Sequence, residues 1–197
     1  IACEIESLAD EPGWRLRRRE EHVWLASENG LVRYAEQLGR HAVALAEREP
    51  LPTREVVEAE LAAIPRPPGL PPLAPGRLAR LAVAAAPERV DLSGRGELYP
   101  VGLDPERALR LTVGALVGAG KLYPGHAGHR LVSVEEIAER VRSRYPRGEA
   151  LPGHPELDEL LARSGWKVTW EERYAAYVTR VDDSLTMPTG SSLVGGT

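Results

Sequence analysis

One pattern, present near both ends of the chain, constrains the fold more than any other feature. In each copy an apolar helical stretch runs into a Gly-Trp pair, Gly13-Trp14 in the first copy and Gly165-Trp166 in the second. An alternating apolar and polar stretch follows, then a Glu-Glu pair, then a second stretch with an aromatic residue. Glycine after the last apolar residue is typical of a helix C-cap, and alternation is typical of strands. Each copy therefore predicts a helix that leads into a β-hairpin, with Trp14 and Trp166 buried at the start of a strand.

A third and more degenerate copy lies between these two. It is predicted as a helix over 75–86, a strand over 89–92, a turn at Ser93-Gly94-Arg95-Gly96 and a strand over 97–99. Two further helices are predicted before this hairpin, at 31–48 and 53–64, and three are predicted before the last hairpin, at 104–118, 133–145 and 155–163. The order of three helices and a hairpin therefore occurs twice in succession.

Local signals mark the ends of these helices. Ser133 and the glutamate three residues later have the spacing of a capping box, and Thr53 is expected to cap the helix that follows it. Asp104-Pro105 and His154-Pro155 each place a proline at the expected first helical position, where its missing N–H costs nothing. The six prolines of 65–75 exclude a helix there, so this stretch is predicted to be a linker.

Three helices followed by a hairpin is the order of a winged helix, a helix-turn-helix variant with a β-wing. We therefore predict an α+β, mainly helical chain of tandem winged-helix units. The predicted units are residues 31–100 and 101–180, preceded by the C-terminal half of another unit at 1–27 and followed by a linker or tail at 181–197. The alternative is one irregular α+β domain whose two Gly-Trp hairpins match by chance.

Composition excludes several classes of protein. The net charge of −4 excludes nucleic-acid binding by bulk electrostatics, and a lone Cys3 excludes a disulfide framework and a cysteine-rich zinc site. No apolar run approaches the roughly 20 residues of a membrane span, so we expect a soluble, cytoplasmic protein without a membrane partner. The chain starts without methionine inside an amphipathic pattern, and is interpreted as an internal piece of a larger bacterial protein.

Two stretches resemble ligand sites but lack required residues. The run Gly114 to Lys121 has alanine where a phosphate-binding loop needs its first glycine, and leucine where it needs serine or threonine. His126 and His129 supply two metal ligands where a site needs three or four, and they are interpreted as part of a flexible loop. Asp182-Asp183 is assigned to the tail. With no catalytic motif found, we expect no enzyme activity, no metal and no cofactor in this region.

A nucleic-acid surface is the remaining candidate site. The predicted DNA-phosphate contacts are Arg15, Arg17, Arg18 and Arg19 in the first hairpin, with Arg77 and Arg80 on the helix at 75–86. That helix carries no Asn, Gln, Ser or Lys to recognise base edges, so phosphate contact is expected rather than sequence recognition. The helix at 155–163 exposes Glu156, Asp158 and Glu159 by this interpretation and would repel phosphate.

Several blocks of the chain resemble one family. They are Leu92-Ser93-Gly94-Arg95-Gly96-Glu97-Leu98-Tyr99-Pro100, Ala108-Leu109-Arg110-Leu111, the run from Ser133 to Pro146, Leu151-Pro152, and the run from Pro155 to Leu161. Roughly residues 90–180 resemble the region C-terminal to the catalytic domain in large bacterial serine/threonine kinases of anti-phage defence, those of the phage-growth-limitation or type 2 BREX systems. The resemblance implies a bacterial defence protein whose kinase part lies outside this chain, and it carries over no catalytic residue.

Two functions follow from these observations. The first is a non-catalytic, regulatory or DNA-associating module of a phage-defence protein, with weak duplex binding. The second is a protein-interaction scaffold without nucleic-acid contact, whose partners are other domains of the parent chain or other defence-system proteins.

Overall fold

The computed structural model describes residues 14–19, 22–27, 30–70, 72–73, 76–116, 119–124 and 128–180, with the backbone alone for the first two ranges and Arg180. The chain is α+β, as predicted, with small antiparallel sheets. It divides into two compact units, Ile1–Val101 and Gly102–Thr197. No helix among the described residues combines the length and the apolar character needed to cross a bilayer.

The first unit contains three helices and two hairpins in its described part. The elements are β1 (Trp14–Arg19), β2 (His22–Ser27), α1 (Leu31–Ala46), α2 (Arg54–Ala62), α3 (Arg77–Ala85), β3 (Val90–Leu92) and β4 (Leu98–Pro100). Strand β1 pairs with β2 and β3 pairs with β4, both antiparallel. The first predicted hairpin is therefore present and starts at Trp14, whereas the helix expected before it lies outside the described residues.

The three helices of this unit enclose its core. Buried side chains come from all three helices and both strands of the second hairpin, among them Leu38, Leu45, Val57, Leu61, Ala82, Val90 and Leu98. Helices α1 and α3 approach closely at Gly39, where an added Cβ would lie 3.1 Å from the Cβ of Ala85. Thr53 occupies the N-cap position of α2 but makes no side-chain capping hydrogen bond, so the predicted cap is wrong in that respect.

The second unit packs three helices against a four-stranded sheet. Its elements are α4 (Pro105–Leu116), β5 (Lys121–Leu122), β6 (His129–Ser133), α5 (Val134–Arg144), α6 (Glu156–Arg163), β7 (Val168–Glu171), a 3₁₀ turn (Glu172–Tyr174) and β8 (Ala176–Arg180). The strand order is β5-β6-β8-β7, and all pairs are antiparallel. The core includes Leu109, Leu116, Val132, Ile137, Leu157, Leu161, Trp166 and Tyr177.

Two of the three predicted helix starts in this unit are confirmed. Ser133 Oγ accepts a hydrogen bond from the backbone N–H of Glu136 at 3.1 Å, and Asp104 Oδ1 accepts one from Arg107 at 2.8 Å. Pro105 is the first residue of its helix, as expected. Pro155 instead occupies the N-cap position, and α6 begins one residue later than predicted.

The stretch between α4 and α5 differs from its prediction as a loop. Its described part forms β5 and β6, and β6 pairs with β8 from Ser133 opposite Ala176 to His129 opposite Arg180. The partner strand lies far along the chain, so local sequence carried no signal for this pairing. Trp166 is buried, as predicted, with 4% of its surface exposed, but it precedes β7 by two residues rather than opening it. The side chain of Trp14 lies outside the described part.

Gly165 ends α6 in the way the Gly-Trp pattern predicts. Its φ is +82°, its N–H donates to the carbonyl of Ala162 at 3.2 Å, and the N–H of Trp166 donates to the carbonyl of Leu161 at 3.3 Å. These two bonds are the Schellman motif, which satisfies helix carbonyls that would otherwise lack donors. The motif turns the chain so that Trp166 enters the core.

Replacing Gly165 with alanine is expected to destabilise the second unit by about 1 kcal/mol, because a side chain disfavours the left-handed conformation. An added Cβ meets nothing within 4 Å, so no steric cost adds to this value. Gly153→Ala is the matched control: its Cβ also meets nothing, and its φ is not positive. Urea denaturation should show little change or a slight gain for the control. Equal effects of the two substitutions would contradict the assignment.

Candidate nucleic-acid interface

The arginines predicted to contact phosphate lie on two elements of the first unit. Arg15, Arg17, Arg18 and Arg19 belong to β1, where Arg17 pairs with Trp24 and Arg19 with His22. Their side chains lie outside the described part, so this portion of the predicted surface stays a prediction. Arg77 and Arg80 lie on α3, and both are exposed.

Helix α3 presents these two arginines because of its apolar pattern. Ala79 and Ala82 are buried in the core, and all the other residues of the helix except the two arginines are alanine, leucine or valine. Arg77 and Arg80 are three residues apart, so they lie on the same side of the helix. They are the only charged residues of α3, which gives this helix a positively charged exposed side without any group that recognises a base edge.

The turn between β3 and β4 carries an arginine that the sequence analysis did not select. The hydroxyl of Ser93, which is buried, accepts hydrogen bonds from the backbone N–H of Arg95 at 3.2 Å and of Glu97 at 3.1 Å. The same hydroxyl donates to the Glu97 carboxylate at 3.0 Å, and backbone bonds between Ser93 and both Gly96 and Glu97 close the turn. The turn is therefore fixed from inside, and Arg95 is exposed on it.

Arg54 shows that this turn lies beside the start of α3. Its side-chain carbons pack on the turn, since a Cβ added at Gly96 would lie 3.1 Å from Arg54 Cδ. Its guanidinium reaches toward α3, because Nη2 lies 3.9 Å from the position of a Cβ at Gly76. Arg54 Nε also donates to Glu58 at 2.9 Å, which neutralises its charge locally. We call the exposed arginines at this end of the unit, Arg77, Arg80 and Arg95, the basic end.

Sequence reasoning missed Arg95 and Arg54 for a definite reason. The sequence predicts the turn at Ser93-Gly94-Arg95-Gly96 and shows that it contains an arginine. It does not show that this turn lies near α3. Its proximity to α3 depends on the packing of Arg54 against Gly96, two residues that lie far apart in sequence.

Helix α6 of the second unit carries the opposite charge. Glu156 and Glu159 are exposed on it, and Arg163 Nε pairs with Glu106 at 3.1 Å. Asp158 is partly exposed on the same helix, as predicted, but its carboxylate is not free: Oδ1 accepts a hydrogen bond from Tyr177 Oη at 2.6 Å and lies 3.0 Å from His154 Nδ1. The exposed acids leave this helix unsuited to a phosphate backbone.

The hydrogen bonds of Asp158 determine its ionisation. Burial alone would raise its pKa, but the bonds to Tyr177 and His154 outweigh burial and lower the pKa below its usual range. Burial and the neighbouring carboxylate raise the pKa of Tyr177 far above its usual value. Asp158 is thus a charged acceptor held between two partners, and Tyr177 is a neutral donor.

The structure shows that the described parts of the two stretches that resemble ligand sites belong to ordinary secondary structure. Helix α4 ends at Leu116 and Lys121 opens β5, so Gly120-Lys121 lies at the start of a strand rather than between a strand and a helix. His129 is the first residue of β6, whereas His126 and Cys3 lie outside the described ranges. Among the described residues no group of three or more His, Cys, Asp or Glu side chains is arranged to hold a metal ion.

Comparison with known proteins connects the chain to one curated relative. No protein-family model matches it, and neither does any solved structure. The "Probable kinase PglW" of Streptomyces coelicolor is 41% identical over 119 residues, which cover 59% of this chain and 7% of that protein. The resemblance to the phage-growth-limitation kinases is confirmed to this extent. More than half of the chain is therefore homologous to a small region of a much larger bacterial protein.

Proposed function

We propose that this region is a non-catalytic module of tandem winged-helix units in a larger bacterial phage-defence protein, and that it associates with duplex DNA through phosphate contacts. In the first unit, α1, α2 and α3 precede the β3–β4 hairpin. In the second unit, helices α4, α5 and α6 precede the β7–β8 hairpin, and β6 joins the sheet in the order β6-β8-β7. Both orders support the winged-helix interpretation.

The basic end is the observation that carries the DNA proposal. In winged-helix proteins the third helix and the hairpin are the elements that approach DNA. Helix α3 and the β3–β4 hairpin occupy these two places in the first unit. Their charged residues are the exposed Arg77, Arg80 and Arg95 and the half-buried Asp91 and Glu97. Asp91 accepts a hydrogen bond from Tyr99, and Glu97 accepts one from Ser93, so both carboxylates are engaged within the hairpin.

The expected binding mode is contact with phosphate rather than recognition of sequence. Arginines at the basic end match the phosphate backbone, which carries one charge per about 1.7 Å of duplex. Helix α3 lacks the amide and hydroxyl side chains that distinguish base pairs, and α6 exposes Glu156 and Glu159. The proposed role is therefore weak, sequence-indifferent association that supports a larger protein, whose kinase activity would reside outside this region in the cytoplasm.

A double charge reversal at the basic end tests this proposal. Arg77→Glu with Arg80→Glu is expected to weaken binding equally for unrelated duplexes and to reduce the slope of log affinity against log salt by about 2, one per lost phosphate contact. Arg33→Glu with Arg40→Glu is the matched control, because both are exposed arginines on α1 and the net charge changes equally. Fluorescence anisotropy over a salt series measures both.

The same titration tests the first hairpin. If β1 also contacts phosphate, reversal of Arg17 and Arg18 weakens binding uniformly across sequences, whereas neutralising Glu156 and Glu159 leaves it unchanged or tightens it. Equal losses for the basic-end pair and the α1 control pair would show that only net charge matters. Absence of binding to any duplex at about 50 mM salt would contradict the DNA proposal.

A protein-interaction scaffold is the second candidate, and exposed apolar side chains of the second unit favour it. Leu122 is 73% exposed and Tyr174 is 37% exposed. The rings of Tyr174 and the neighbouring Tyr123 contact edge to face with centroids 5.5 Å apart. Exposed apolar groups of this kind are frequent where proteins meet. In that case the partners are other domains of the parent chain or other defence-system proteins.

A further inference from the structure

The second unit has a groove at the margin of its sheet. Its volume is ≈ 800 Å³, and the consecutive residues 165–170 form much of its lining. These residues run from the cap of α6 into β7. The adjacent residues Tyr177 and Val178 of β8 also line it, together with Asp158 of α6. Neighbours along a strand point to opposite faces, so the groove extends around the edge of the sheet.

Strand β7 has a free edge along this groove. In the order β5-β6-β8-β7, it pairs with β8 through Val168 opposite Thr179 to Glu171 opposite Ala176. No strand in the described part of the chain pairs with its other side. Alternate residues of an antiparallel edge strand direct N–H and C=O groups outward, which makes such an edge a template for another strand. Thr169 is exposed and Val168 is half-buried at this edge.

The aromatic wall next to this edge is held in place. His154 stacks on Trp170 with centroids 4.0 Å apart and planes 7° apart, and Tyr177 contacts Trp170 edge to face at 5.0 Å. His154 and Tyr177, the two rings that contact Trp170, are both held by the carboxylate of Asp158. Rings that are already fixed lose little conformational freedom when they contact a ligand, so this wall is pre-organised for binding.

One cation at the groove is available to an acidic ligand. Lys167 lines the groove, is exposed, and forms no ion pair with any residue that the structure describes. The carboxylate that also lines it, Asp158, is already engaged by Tyr177 and His154. Asp158 stays ionised, but its Oδ1 is occupied by these two partners, so an incoming carboxylate could pair with Lys167 without displacing an existing ion pair.

We propose that β7 binds an extended peptide segment of a partner protein, which adds to the sheet as a fifth strand and places an acidic side chain beside Lys167. Backbone hydrogen bonds to the free edge would supply much of the affinity, and the groove and Lys167 would select the side chains. The site lies within the second unit, whereas the DNA contacts are proposed for the first.

Backbone methylation of a probe peptide tests strand addition directly. The probe is a short synthetic peptide of alternating valine and aspartate, acetylated and amidated at its ends. We expect it to shift the NMR amide signals of residues 167–171. Two methylated versions carry N-methyl groups at odd or at even positions. One should bind at least about tenfold more weakly and the other should bind nearly normally, because an added strand bonds through only one of its edges.

The two lysines of the chain provide a matched pair of variants. Lys167→Glu should weaken the valine–aspartate peptide about tenfold and should favour a valine–lysine peptide instead. Lys121→Glu makes the same charge change on β5, the opposite margin of the sheet, and should have no effect. Equal binding of both methylated peptides, equal effects of the two lysine variants, or no binding at about 1 mM peptide would overturn the proposal.

Discussion

Replacing Trp166 with alanine is expected to destabilise the second unit by about 3–5 kcal/mol, the usual cost of deleting a large buried aromatic side chain. Trp166 is 4% exposed, and the Schellman motif at Gly165 directs it into the core. Alanine would therefore leave a cavity in the core of the second unit. Chemical denaturation of the whole chain, followed by circular dichroism, measures the loss. A change within about 0.5 kcal/mol of wild type would show that the side chain contributes no packing.

Trp166→Phe separates packing from hydrogen bonding at the same position. The indole N–H of Trp166 is buried and has no acceptor in the described part of the chain. Phenylalanine keeps most of the aromatic volume and removes this unsatisfied donor, so we expect a change of no more than about 1 kcal/mol. The variant also remains measurable if Trp166→Ala leaves the second unit unfolded, since a loss of about 3–5 kcal/mol approaches the whole stability of a small domain.

Several helix ends in the described part of the chain were predictable because their causes are local. Ser133 caps the fifth helix through a bond to a residue three positions away, and Asp104 does the same for the fourth. Gly165 adopts a positive φ that the Gly-Trp pattern predicts. Each signal lies within one turn of the helix it ends, so a single sequence contains all of it.

The elements that sequence reasoning missed depend on contacts between distant residues. Strand β6 is a short segment whose pairing partner, β8, begins at Ala176, and nothing within 129–133 specifies that partner. The partners of Asp158 on α6 were not predictable either. Its bond to Tyr177 joins residues 19 positions apart, and only the packed sheet brings them together.

In the candidate site, too, some residues were predictable from local sequence and others depend on contacts between distant residues. Arg77 and Arg80 were predictable because the apolar residues of α3 leave only these positions for exposed charges. The place of Arg95 beside α3 required the packing of Arg54 against Gly96. The free edge of β7 likewise became visible only once the strand order was known, because it follows from β8 lying between β6 and β7.

Replacing Gly120 with alanine is expected to destabilise the second unit by about 2–5 kcal/mol, by a mechanism opposite to the loss of Trp166. Its φ is +87°, which costs a side chain about 1–2 kcal/mol. An added Cβ would also lie 2.2 Å from the carbonyl oxygen of Leu131 and 2.7 Å from Val132 Cγ2. Crowding of this kind costs about 1–3 kcal/mol more, because the backbone of β6 must move. Val132 is fully buried, so that movement would disturb the core.

Alanine substitutions at two other glycines separate the cost of the positive φ from the cost of the steric clash. Gly114 is exposed within α4, and a Cβ there meets nothing within 4 Å, so Gly114→Ala should stabilise the unit by about 0.5–1 kcal/mol. Gly165→Ala adds the cost of a positive φ without a clash, and Gly120→Ala adds both. Urea denaturation should therefore rank the variants in this order, from Gly114 to Gly120. If Gly120→Ala cost no more than Gly165→Ala, the close approach of β5 to Leu131 would be wrong. Gly120 lies in the stretch that resembles a phosphate-binding loop, but it is required there by the pairing of β5 with β6.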